Sequence, residues 1–360
     1  MALTSVASVG AAPELLRLPN SSVQCSDIVR TMKAMAQHSW NTGAPIELVE
    51  LPTPLPRPRE VLVRVQSIGL NPADSQMFVN RAIRESLRLI GPRPPIVLGL
   101  DFAGTVDAVG SEVTNFRPGD RVVGGSGFEQ FTRFSSRPQG CFADTVVVGV
   151  GQICHVPDSV DFDTAVALAV PGVTAHRTIV EVGAIGRAEP ANRRVLVLGA
   201  SGAVGQLTVQ LAKMQGAFVV GVCSTKNLDM VRGLGAAVAL DYTEGEVLKR
   251  AAEHGPFTIV SDCADGYSKL ECMSLLAPGG RFVMVSMHNP VDAVYTLVPP
   301  FRARTILGTP NGKRLAPLMT AAAAGQLAVN IAQRLPLTSL QEAIDLSETR
   351  RMTGKLILQP

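Results

Sequence analysis

Between residues 46 and 150 the apolar positions fall in short runs: "IELVEL", "EVLVRVQSIGL", "FAGTVDAV", "DRVVG" and "FADTVVV". Gly, Pro and Asp clusters such as "PTPLPRPRE" and "RPGD" separate them. Closely spaced strand patterns with turn signals predict an antiparallel, barrel-like domain. From about residue 165 the rhythm becomes strand, then helix, repeated. "VLVLGA", "FVVGVCS", "AVALDY", "FTIVSDC", "RFVMVS" and "TILGT" read as strands, with helical patterns such as "GQLTVQLAKMQ" and "NLDMVRGLG" between them. That alternation predicts a doubly wound parallel sheet. Beyond about residue 311 a last helix pattern, "LAPLMTAAAAGQL", precedes a strand-like end, "GKLILQP".

The pattern proper begins near Met32. Residues 1–31 are Ala/Ser-rich and lack the basic start and apolar core of a secretory signal. They are expected to be a disordered extension. The alternative is an organelle transit peptide, in which Glu14 and Asp27 would sit awkwardly. The location expected is therefore the cytoplasm, or an organelle if the extension is a transit peptide. At 360 residues the chain is long for one core, so two domains are expected. A net charge of +3, no clustered basic run and 4% aromatic residues give a nucleic-acid partner no support. No apolar stretch approaches the ~18 residues of a spanning helix, so no integral membrane segment is expected. The six cysteines are scattered without a C-x-x-C pair, which fits a reducing compartment.

Chemistry concentrates in "VLVLGASGAVGQLTVQLAK", residues 195–213. Gly199, Gly202 and Gly205 space a G-x-x-G-x-x-G turn between a strand and a helix, with Ser201 where the usual fingerprint has its middle glycine. Such glycines let the chain turn tightly and let its backbone approach a pyrophosphate at the helix N-terminus. Alone, the turn also fits simple helix–strand packing. The second strand then ends at Cys223, followed by Ser224, Thr225, Lys226 and Asn227. NAD-specific sites place an acid there to hold the ribose 2′-hydroxyl. Here hydroxyls, a lysine and an amide suit a 2′-phosphate, so the cofactor expected is NADPH.

These segments, with "EVLVRVQSIGLNPAD", "LGLDFAGTVDAVGSEVTNFRPGDRV", "GCFAD", "LLAPGGRFVMVS" and the terminal "GKLIL", follow one family's order. The chain resembles a medium-chain dehydrogenase/reductase of the zinc-free quinone oxidoreductase-like and enoyl reductase branch. The resemblance implies a GroES-like β-rich catalytic domain (32–165), a Rossmann NADPH-binding domain (166–310) and a C-terminal return to the first (311–360). The substrate cleft would lie between the two domains. It also implies cofactor contacts from Thr174, Gly199, Ser201, Gly202, Ala203, Val204, Gly205, Ser224, Thr225, Lys226, Asn227 and Tyr242. A homodimer joined through "TILGT" is expected on the same ground.

Departures from the family's zinc enzymes shape the expected chemistry. Asn71 stands where they carry a cysteine, and "Gly99-Leu100-Asp101" stands in place of Gly-His-Glu. "GGSGFEQFTRFSSRPQG" replaces their four-cysteine lobe, so no metal is expected. Without a Lewis acid, alcohol oxidation loses its main driver. Hydride delivery to an activated C=C or a quinone needs only donors aimed at the carbonyl oxygen. Asn71 and nearby amides are candidate donors, or Asn71-Pro72 is merely a turn. Asp74 is a candidate general acid, or it caps the helix pattern "ADSQMFVNRAIRESL". The basic residues between Val79 and Pro95 are expected to solvate a surface helix, with lining of the cleft mouth as the alternative. The function expected is NADPH-dependent, zinc-independent hydride transfer to a small molecule, either at an activated C=C (enone, enal or enoyl group) or to a quinone. A non-redox NADPH-binding protein with a structural or partner-binding role is the alternative.

Overall fold

The computed structural model describes residues 30–126, 140–285, 295–296, 303–306 and 308–360. The extension (apart from Arg30 and Thr31), most of the "GGSGFEQFTRFSSRPQG" segment, Ser286 of "RFVMVS" and Leu307 of "TILGT" lie outside the described residues. Thr31 opens the first strand, and Arg30 pairs with Asp107 at 2.9 Å.

Among the described residues eight strands precede the parallel sheet: β1 (Thr31–Gln37), β2 (Glu47–Pro52), β3 (Glu60–Leu70), β4 (Ile96–Val97), β5 (Asp101–Val109), β6 (Arg121–Gly125), β7 (Thr145–Gly149) and β8 (Ile153–His155). β2, β1 and β4 form one small antiparallel sheet. β3 is the hub of the larger one, pairing with β5 and β7. The next six strands are β9 (Arg194–Leu198), β10 (Phe218–Cys223), β11 (Val238–Asp241), β12 (Phe257–Asp262), β13 (Leu276–Met284) and β14 (Ala303–Thr305). They line up parallel in the order β11-β10-β9-β12-β13-β14, the doubly wound sheet expected from the alternation. Val195–Leu198 is buried without alternation because helices cover both faces of such a sheet.

The chain then returns. β15 (Ile331–Pro336) runs parallel to β16 (Lys355–Gln359), and β16 lies antiparallel on β3, with Leu356 opposite Leu70 and Ile357 opposite Gly69. Period-2 alternation gives this last strand two faces. Leu356 and Leu358 pack into the β-domain core, whereas Ile357 packs into the core shared with the parallel sheet. Each such buried side chain contributes about 1.5–3 kcal/mol. The C-terminus thus ties both cores together.

The long helix read from "ADSQMFVNRAIRESL" is two helices, Pro72–Val79 and Arg81–Ile90. Asn80 divides them: its extended backbone ends the first helix, and its Oδ1 accepts the Ala82 and Ile83 N–H groups of the second. The expectation of a solvated basic surface is corrected at Arg84. Arg81, Arg88 and Arg93 are exposed, but Arg84 is 1% exposed and satisfied entirely by carbonyls.

Candidate active site at the domain cleft

A cleft of about 1120 Å³ opens at the C-terminal ends of β9, β10 and β12, beside the point where the strand order reverses. Gly199 follows β9 at φ +78°, a conformation open to glycine. A Cβ on Gly205 would lie 2.2 Å from the Gly199 carbonyl oxygen, so only glycine lets the helix Ala203–Met214 start this close to the strand. Its N-cap is Gly202, which has no side chain to satisfy the first-turn N–H groups. An uncapped helix start facing a cleft fits a dinucleotide pyrophosphate.

Every residue assigned to the cofactor lines this cleft except Thr225 and Lys226. The Thr225 hydroxyl donates instead to Asp241, and Lys226 is exposed on the 3-10 turn Thr225–Asn227. An acid does stand near the ribose loop, one strand away from the position searched: Asp241 ends β11 beside Cys223 of β10. The Thr225 hydroxyl, then the Thr243 N–H and hydroxyl, hold its carboxyl below the usual carboxylate range. Sequence reasoning missed Arg350 and Arg351, which line the cleft from the C-terminal return. They stand far from the glycine turn in the chain, where no fingerprint looks. The return also touches the cofactor loops directly. Gly354 N–H donates to Ser201 O at 3.0 Å, and Thr353 Oγ1 donates to Asn227 Oδ1 at 3.2 Å.

At the other end of the cleft four polar side chains meet in the interior. Asn71, Asp74, Asp101 and Lys355 are each at most 3% exposed. The Asn71 Nδ2 group donates to Asp74 Oδ2 at 2.9 Å and to Asp101 Oδ1 at 2.8 Å. Lys355 Nζ donates to Asn71 Oδ1 at 2.5 Å and reaches Asp101 Oδ2 at 3.4 Å. Asp101 Oδ2 also accepts the Val170 N–H at the start of the helix Val170–His176, which carries Thr174. One carboxylate therefore joins β5, the loop after β3, β16 and the parallel-sheet domain.

The role expected for Asn71 changes here. An amide has two N–H donors, and both point at carboxylates, so none is left for a substrate oxygen. Asn71 instead caps the helix Pro72–Val79, and Asp74 at its N3 position accepts the Asn71 backbone N–H at 2.9 Å. Burial, then the neighbouring Asp101 charge, push the Asp74 carboxyl up to about 7 against the opposing Asn71 hydrogen bonds. Burial also raises Asp101, with Lys355 opposing it. Asp101 has the ammonium beside it and is the ionised partner. Asp74 is the carboxyl that gains and loses its proton around neutrality.

The alcohol dehydrogenase GroES-like domain family matches residues 57–158, and the zinc-binding dehydrogenase family matches residues 234–358. The chain is 29% identical over 345 residues to a chloroplastic quinone oxidoreductase of Triphysaria versicolor, covering 92% of this chain and 99% of that one. A quinone oxidoreductase structure from Coxiella burnetii superposes with a TM-score of 0.79 at 27% identity, covering 92% of this chain and all of the other. The chain belongs to the medium-chain dehydrogenase/reductase superfamily, in its quinone oxidoreductase-like branch. It is also 32% identical over 258 residues to a mitochondrial NAD(P)H oxidoreductase of Danio rerio, a match covering 69% of this chain and 62% of that protein. The superfamily's GroES-like and Rossmann domains are the two sheet systems described above. Among the described residues no group of three or more His, Cys, Asp and Glu side chains is placed to hold a metal ion. Nor, among them, is any helix long and apolar enough to cross a membrane.

Proposed function

We propose that this NAD(P)H-dependent oxidoreductase reduces an activated C=C bond (in an enone, enal or enoyl group) or a quinone, without zinc at its centre. One observation carries the reading. The Lys355 ammonium sits between Asn71, which stands where the superfamily's zinc enzymes carry a cysteine, and Asp101 of the "Gly99-Leu100-Asp101" that replaces their Gly-His-Glu. A positive charge already fills that gap, on a side chain that is itself buried. The bound cofactor would supply hydride. The chain's task is then to hold the acceptor and to stabilise charge on its oxygen, which requires a cation or donor rather than a Lewis acid. With a cofactor deuterated at the transferred position, label is expected on the β-carbon of a reduced enone. Label on a carbinol carbon would make the chain a carbonyl reductase. No cofactor oxidation across a panel of enones and quinones would favour the non-redox alternative.

The cofactor preferred is NADPH. Ser224 and Asn227 line the cleft on either side of Thr225 and Lys226, Tyr242 closes the next strand, and Arg350 and Arg351 add positive charge to the cleft. Lys226→Ala is expected to raise the KM for NADPH about tenfold, some 1.4 kcal/mol of uniform binding, with kcat unchanged and NADH kinetics unmoved. Equal loss with both cofactors would remove Lys226 from the phosphate site. A homodimer through the outer edge of β14 fits the same reading, since β14 ends its sheet and an open edge tends to be paired. The Danio protein is mitochondrial and the Triphysaria protein chloroplastic, which favours an organelle over the cytoplasm for this chain.

A further inference from the structure

Placing the cofactor leaves the catalytic end short of a donor. Asn71 has spent both amide hydrogens on carboxylates, and "Ser75-Gln76-Met77-Phe78" after this loop holds no tyrosine to serve as an acid. Lys355 has a hydrogen to spare. An ammonium carries three donors. One goes to Asn71 Oδ1 at 2.5 Å, a second reaches Asp101 Oδ2 at 3.4 Å, and the third has no partner among the described residues.

The placement of this lysine is built. Its side chain is 2% exposed, yet the residue lines the cleft beside Asn71 and Leu70. Gly69 makes room for it: a Cβ there would lie 2.6 Å from Lys355 Cε and 2.7 Å from Asp101 Oδ1. The preceding residue, Gly354, is hydrogen-bonded to Ser201 in the glycine turn, so the lysine is held in register with the cofactor loop. A single ionised carboxylate, Asp101, anchors the charge.

We propose that Lys355 is a catalytic residue, whose ammonium hydrogen-bonds the substrate carbonyl oxygen and gives that oxygen its proton. The inference rests on the reductase reading above. As the acceptor's β-carbon gains hydride, the C=C π bond breaks and its electron pair moves through the α-carbon onto the oxygen. The Lys355 N–H bond breaks while the O–H bond forms, leaving an amine and an enol. Exchange with water converts the enol to the saturated carbonyl and returns a proton to the amine. Asp101 stays ionised throughout and Asp74 takes no part. In a water-poor site a fixed ammonium stabilises a developing oxyanion far more than it would in solvent.

Three proteins test this: the wild type, Lys355→Met, and the double variant Asp101→Asn/Lys355→Met. The single variant leaves Asp101 buried and unpaired, so it is expected to lose stability as well as activity. The double variant removes both charges and should regain the stability. If Lys355 acts on the substrate, the double variant keeps a loss of kcat of about 100-fold or more with an enone, while its affinity for NADPH stays within about twofold of wild type. If turnover returns with stability, the lysine is only a counter-ion and the proposal is overturned. A second readout needs no cofactor. 4-Nitrophenol bound to the wild type should ionise about one pH unit or more below its value when bound to the double variant, because the ammonium stabilises the phenolate. Equal ionisation in both proteins overturns the proposal. A wild type that reduces no enone or quinone refutes the reductase reading, whereas the phenol titration still decides whether Lys355 meets an oxyanion in the cleft.

Discussion

Asp74→Asn is expected to stabilise the protein at pH 8 and to change its stability little at pH 4. The Asp74 carboxyl is fully buried and pushed from 3.8 up to about 7, first by burial and then by Asp101. The unfolded chain titrates near the ordinary value of about 3.9. Between those two values the folded state binds more protons than the unfolded one, so unfolding free energy falls as pH rises. The contribution of the protonated carboxyl is full below about pH 4, declines through the window and is gone above about pH 7. A shift of roughly three units at 1.36 kcal/mol each makes the total about 4 kcal/mol. Asparagine has the shape of the neutral acid and can accept the same Asn71 N–H, so it should be free of this penalty. Urea unfolding of both proteins in steps from pH 4.5 to 8.5 measures it. Their difference should grow by about 3 kcal/mol across the range in favour of the variant, since about 1 kcal/mol of the total is already gone at pH 4.5. Parallel curves would mean that Asp74 is ionised in the folded protein near its normal value.

How much could be read from the sequence follows from how local each feature is. β3 is recovered residue for residue because "EVLVRVQSIGL" is apolar, β-branched and bounded by turn signals. The glycine turn is equally legible, since its spacing is set by a contact six residues away, from Gly205 to Gly199. β1 is not. "TMKAMAQ" carries no β-branched alternation, and its strand conformation comes from pairing with β2 and β4. The polar cluster is illegible for a stronger reason. Asn71 and Lys355 lie 284 positions apart, and only the antiparallel register of β16 on β3 brings them together. "GKLIL" reads as a strand, but nothing local says that its lysine points inward at two carboxylates. Asp241 escaped notice because the acid of a ribose site is sought on β10, while the fold places this one on the adjacent strand.

Arg84→Met is expected to cost about 4 kcal/mol while leaving cofactor affinity unchanged. The guanidinium enters the interior from the helix Arg81–Ile90 and pairs with no carboxylate among the described residues. Its Nε donates to Trp40 O at 3.1 Å. Nη1 donates to Gln37 Oε1, Met77 O and Phe78 O at 3.0–3.3 Å, and Nη2 to Ser39 O and Asn41 O at 3.2 and 2.6 Å. The cation also lies 5.8 Å from the centre of the Trp40 ring. Burial lowers its proton affinity, but an arginine stays charged at any physiological pH. Methionine would fill much of the volume and donate nothing. Several carbonyls would then be buried without partners, each at about 1–3 kcal/mol, which is the origin of the predicted loss even after local relaxation. Arg84→Lys should recover less than half of it, because an ammonium has three donors and no planar fork to reach carbonyls on both sides. Chemical denaturation of the three proteins, with NADPH titration alongside, reads both effects. A methionine variant within about 1 kcal/mol of wild type would mean that water takes over the carbonyls, and that the residues 37–41 do not depend on this helix for their order.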